Sequence, residues 1–192
     1  MARIGFKKAK YNKIVGDKYD TLKDNVPAFE KVIDEKFAPE YNSAELYAND
    51  ALAECDYSFK KGTLSVTIAD DNDKFIAELF GNKVATEGNE VTSNIADTAP
   101  EFGYGHIIPK IVGGAKMFKV EFFPRVKWTK VTSDNKTRGE SVEFNTTALE
   151  GTVFPLDTAL NGLAVGDWEK HKTCATLEEA ETYLDTLLTP KA

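Results

Sequence analysis

Two cysteines and two histidines in 192 residues leave little material for thiol or metal chemistry. Cys55 and Cys174 stand far apart without metal-ligand spacing, so a reduced pair in a cytoplasmic protein is expected. His106 and His171 belong to no H-E-x-x-H pattern and neighbour no cysteine pair. They read as surface or partly packed imidazoles, and no metal is expected. No apolar run approaches the roughly 20 residues of a membrane span. The opening "MARIGFKKAKYNKIV" is basic but has no apolar stretch behind it, so it is not read as a secretory signal, and assembly in a cytoplasm is expected. A basic excess is lacking too: 24 Lys and Arg stand against 31 Asp and Glu, a net charge of −7. That disfavours broad attraction to nucleic acid or to anionic membrane.

The usual catalytic patterns are equally scarce. "GYG" at Gly103–Gly105 lacks the third glycine of a dinucleotide loop, "IVGGAK" at 111–116 is no P-loop, and there is no G-x-S-x-G. Asp71 and Asp73 match the first two positions of an EF-hand loop, but Phe75 and Ile76 stand at the third ligand and at the obligatory glycine. Carboxylate pairs such as Glu178 and Glu179 belong to an exposed helix face. Asn135 and Asn145 match the glycosylation sequon, which has no meaning without secretion. An enzyme reading has no positive support, no cofactor is expected, and a binding or structural role is favoured by elimination.

What is present is ordinary globular composition, 42% hydrophobic and 29% charged, enough for a single domain over 1–192. It divides into an N-terminal arm and loop (1–27), a β core (28–155) and a C-terminal loop and helix (156–192). Phe29, Val32, Ile33 and Phe37 fit a helical stripe, yet Pro39 leaves a strand pair open for 28–41. Cys55, Tyr57 and Phe59 alternate with Glu54, Asp56 and Ser58. After "KKG" at Lys60–Gly62, Leu64, Val66 and Ile68 alternate with Ser65 and Thr67. This predicts a hairpin turning at the glycine, with an apolar core face and an acidic outer face. "DDNDKFIAELFGN" predicts a short helix capped by Asp71 or Asn72 and stopped at Gly81. A short hairpin turning at Glu87–Asn89 is expected next. Phe118, Val120 and Phe122 form a further strand, interrupted at Pro124 as at a bend or edge and resumed by Val126 and Trp128. Val142 and Phe144 continue the β pattern beyond a polar turn, and the phase shift to Leu149 and Val153 implies a bulge near Ala148. "WEKHKTCA" predicts a last strand, and Thr176 with Glu179 makes a capping box ahead of a C-terminal helix. The expected fold is mainly β, an antiparallel β-sandwich or barrel-like domain with one short internal helix and a C-terminal helix.

Three stretches resemble the major tail protein, or tail tube protein, of long-tailed siphophages of Gram-positive bacteria. These are "ELYANDALAECDYSFKKGTLSVTIADD", "EFGYGHIIP" and "KMFKVEFFPRVKWTKVTSDNKTRGESVEFNTTALEGTVF", in one order over about residues 1 to 155. The resemblance implies hexameric rings stacked into a tube, each subunit giving strands to an inner β-barrel through which DNA passes without specific binding. It implies location in the virion tail and partners in further copies of the chain, a tape measure protein, a tail terminator and a distal tail protein, with no membrane and no catalysis. Some relatives carry an appended immunoglobulin-like domain, and none is expected here. A lumen wall that repels phosphate would use outward carboxylates, so Glu54, Asp56, Glu121 and Glu143 are candidate lumen-facing residues. Arg3, Phe6, Lys7, Lys10 and Tyr11 are candidate inter-subunit residues of an arm expected to be mobile in the monomer, as is the loop from Gly16 to Pro27. Alternative readings are the inner tube of a contractile injection machine, a monomeric virion decoration or binding domain, and a small hydrolase.

Overall fold

Apolar residues at alternate positions of long extended segments dominate the described chain, and they build an antiparallel, mainly β fold. The computed structural model describes residues 2–3, 5–21, 26–29, 31–48, 51–69, 72–85, 90–133 and 146–191, with backbone alone at 2–3, 46–48, 51–54 and 130–133. Its strands are β1 (Ala2–Arg3), β2 (Ala9–Val15), β3 (Lys18–Tyr19), β4 (Val32–Ala48), β5 (Ala51–Ile68), β6 (Lys83–Val84), β7 (Val91–Thr92), β8 (Glu101–Val112), β9 (Ala115–Ser133), β10 (Thr147–Val153) and β11 (Lys170–Cys174). Helix α1 (Asp73–Phe80) follows β5, and α2 (Leu177–Leu188) follows β11. The main sheet runs β3-β2-β8-β9-β10-β5-β4, with β1 added to β8 and β11 to β9, while β6 and β7 pair separately.

Strand β9 organises the fold because it changes partner along its length. Residues 118–122 pair with β11 and residues 126–133 with β10. Between them, the span from Phe102 to Tyr104 of β8 opposes the span from Val126 to Phe123, so β9 carries one extra residue at Pro124. The expected bend is therefore a bulge, which resets the side-chain phase. Phe118, Val120 and Phe122 face one core, closed by Leu184, Leu187 and Leu188 of α2. Phe123, Val126 and Trp128 face the other, with Leu64, Val66 and Ile68 of β5 and Phe75 and Leu79 of α1. The sheet curls until Phe37 of β4 packs on Phe123 of β9, ring centroids 4.7 Å apart. Burial on both faces makes the architecture sandwich-like.

Both helices end as their residue types dictate. The Asn72 side chain accepts from the N–H groups of Lys74 and Phe75, and Gly81 closes α1 in the left-handed region. Thr176 accepts from the Glu179 N–H at the start of α2. The β6–β7 pair, the bulge at Ala148/Leu149 and the last strand also match expectation. The pattern at Val142 and Phe144 and the turn at Glu87–Asn89 lie outside the described residues. "GG" at Gly113–Gly114 is the β8–β9 turn, both residues at positive φ.

The expected hairpin needs correction. Lys60–Gly62 is not a turn: β5 runs through it as one 18-residue strand. Lys60 is an extra residue between the pairs Glu40↔Lys61 and Tyr41↔Phe59. Gly62 is needed for close approach, since a Cβ there would lie 2.3 Å from the Phe37 ring. Of the two readings open for 28–41, the described residues take the extended one: β4 starts at Val32, Ile33 is 55% exposed, and Pro39 is tolerated on an edge strand. The apolar face of β5 also ends sooner than its alternation does. Leu64, Val66 and Ile68 are buried, Cys55 and Phe59 half-buried, and Tyr57 is 65% exposed.

β4 and β5 therefore form a long two-stranded ribbon. β10 pairs with β5 only at residues 62–68, and from Lys61 outward the two strands have each other alone among the described residues. Residues 38–45 and 56–58 are exposed along it.

Candidate functional site

The one deeply buried set of charges among the described residues lies where the ribbon's base crosses β8 and β9. His106 of β8 stands between two carboxylates. Its Nε2 is 3.3 Å from Glu121 of β9, and its Nδ1 is 3.0 Å from Glu35 of β4, at ion-pair distance but not aligned for a hydrogen bond. Tyr104, two residues before it on the same face, donates to the second oxygen of Glu35 at 2.6 Å. Lys119 donates to Glu121, and the Phe6 ring stacks on the imidazole, centroids 5.4 Å apart. Alternation explains the set: Tyr104 and His106 share a face of β8, Lys119 and Glu121 a face of β9, and β4 is laid across both.

Electrostatics fix the protonation states. Burial alone would lower the pKa of His106, but the carboxylates of Glu121 and Glu35 prevail and push it up to about 9. Burial would raise Glu121, yet His106 and Lys119 hold it down to about 2. Burial, with Glu35 added, keeps the Tyr104 hydroxyl protonated well above the usual tyrosine range. The imidazolium is a clamp between strands and no base at neutral pH.

Above this floor opens a cleft of about 620 Å³. Trp168, from the loop before β11, stacks on Phe59 of the ribbon at 3.9 Å and 9° and lies 6.0 Å from Phe37. Four carboxylates and two imidazoles line the cleft, yet no group of the described residues has a metal-binding arrangement.

The expected site residues are dispersed. Glu121 is not an outward strand carboxylate: it is buried and ion-paired, because both faces of β9 are covered. Asp56 is exposed on the ribbon opposite Ala44. Glu54 lies on the same strand with its side chain outside the described residues, as does Glu143 altogether. The N-terminal residues do not form a loose arm. Arg3 pairs through its backbone with Lys110 of β8. Phe6 covers His106, and Lys7 is exposed while its N–H donates to Ile107. Lys10 bridges to Asp185 of α2, and Tyr11 is buried in the core, its hydroxyl donating to Glu78. The loop after Gly16 likewise buries Tyr19 and Val26, with residues 22–25 outside the described set. His106 was the residue that sequence reasoning missed. Its place inside the apolar run "FGYGHIIP" was the available sign of burial.

No protein-family model matches the chain, and no curated protein matches its sequence. No helix among the described residues is long and apolar enough to cross a membrane.

Proposed function

We propose that the chain is a structural phage tail tube protein, polymerising as stacked hexameric rings to form the DNA-conducting channel of a virion tail. The observation that carries this reading is the β4–β5 ribbon. It extends past the core with Tyr41 and Tyr57 exposed, 50% and 65%, and β4 stands at the end of the sheet path. Long exposed sheet edges are a liability for a monomer and a means of assembly for a polymer. The sequence resemblance and the net charge of −7, which suits a passage that does not hold DNA, support the same reading. On it, the tape measure, terminator and distal tail proteins are the partners at the tube's interior and ends. Negative-stain microscopy of the purified protein tests it. Rings or long tubes are expected, whereas monodisperse monomers at high concentration would favour a decoration or binding domain.

A further inference from the structure

The cleft above His106 carries more negative charge than its own cations neutralise. Glu35 and Glu121 on the floor face His106 and Lys119, leaving Asp34 and Glu169 at the rim in excess. His171 is 3.6 Å from Glu169. The walls include Phe6, Phe37, Tyr41 and Trp168. Carboxylates above aromatic faces make a receptor for a planar or compact cation, through charge-assisted hydrogen bonds and cation–π attraction together.

Strand geometry says how such a cation would arrive. One whole side of the cleft is β4, from Ile33 to Tyr41. β4 ends the sheet, so among the described residues no strand covers its outer edge. A strand added along that edge would pass beside the cleft and present alternate side chains to it. In strand addition, main-chain hydrogen bonds supply affinity and side-chain pockets supply specificity. We infer that the cleft receives a lysine or arginine side chain from a second copy of this chain, which pairs with the β4 edge and is set in register by that one cation. This rests on the tube reading and adds to it the group that selects the neighbour. The occupant fits by charge: the excess at the cleft is acidic, and a wrong register would place an apolar or acidic side chain there, leaving that excess unmatched.

Two measurements test it. The first titrates the folded protein with N-acetyl-arginine amide and, in parallel, its uncharged citrulline counterpart, read by tryptophan emission. Trp128 is wholly buried, so a change reports Trp168. A saturable change with the arginine compound alone is expected, weakened at least tenfold in Asp34→Asn/Glu169→Gln. Identical responses to both compounds would overturn the inference. The second compares assembly of the wild type with Asp34→Lys/Glu169→Lys by sedimentation velocity, with circular dichroism to show that the variant is folded. Loss of assembly in a folded variant is expected, and the milder Asn/Gln pair should assemble at higher concentration than wild type. Tubes formed equally well by wild type and both variants would sink the cation anchor and leave the tube reading standing. A wild type that never assembles yet binds the arginine compound would overturn both the tube reading and the second copy as occupant.

Discussion

His106 holds a charge that burial opposes, and its carboxylate neighbours decide the outcome. An ordinary imidazole titrates near 6.5, and here the value is about 9. The folded state therefore binds the proton more tightly than the unfolded chain. This contribution is complete below about pH 6.5 and is lost as pH rises through 9. Glu121, held at about 2, acts in the opposite sense: its contribution is present above about pH 4.5 and fades as pH falls toward 2. Urea unfolding should show a plateau between about pH 4.5 and 6.5 and lose about 3 kcal/mol by pH 9.5, on the scale of 1.4 kcal/mol per pKa unit. His106→Gln should remove the alkaline decline and cost about 3–5 kcal/mol at neutral pH, because Glu35 and Glu121 then lose the cation between them and Lys119 alone offsets the pair. An unchanged alkaline decline in that variant would mean another group causes it. This cluster was illegible in the sequence. Glu35, His106 and Glu121 are far apart along the chain, and period-2 reading assigns Glu121 to whichever face is not apolar. It says nothing of a second layer covering that face.

At the scale of elements, the ribbon separates what the core needs from what it does not. Tyr41 and Phe59 are partners across it, so joining them through an Asn-Gly turn would delete residues 42–58 without touching the Phe59–Trp168 stack. The shortened protein should keep its circular dichroism spectrum and unfold within a few degrees of wild type, yet fail to form rings or tubes. A collapse in thermal stability would show instead that the ribbon is part of the folding unit. Both helices were readable from local signals: Asn72 and Gly81 for α1, Thr176 and Glu179 for α2. Such signals act within one turn of chain. The ribbon was misread for the converse reason. A glycine after two lysines looks like a turn when only neighbours in sequence are visible. The true cause of Gly62 is a ring 25 positions earlier, and the bulge at Lys60 mimics the end of a strand. The stripe of Phe29, Val32, Ile33 and Phe37 had helical spacing by coincidence, as the exposure of Ile33 makes plain.

At the scale of the whole molecule, the tube proposal makes the outer charges of the ribbon matter through repetition around a ring. Asp56 is exposed and Glu54 is its neighbour two positions away on β5. Replacing both with Lys should leave tubes intact and slow DNA ejection, measured as genome release from triggered virions. Unchanged ejection through intact tubes would remove these residues from the lumen wall. A strand crowded with carboxylates is otherwise a solvated surface that needs no such explanation.

The buried Asn12 of β2 has a consequence in time. Its side-chain amide donates to the carbonyl of Leu188, in the last turn of α2, and to that of Asp20. Its strand pairs locally with β3, but its longer partner is residues 102–106 of β8. On the ribosome, β2 emerges long before β8 or α2 exists. The core beneath α2 therefore stays open until the chain has been synthesised through Leu188. Contacts this distant in sequence slow folding, and here they also postpone it: on the proposed tube reading, association between copies would wait until the helix has docked.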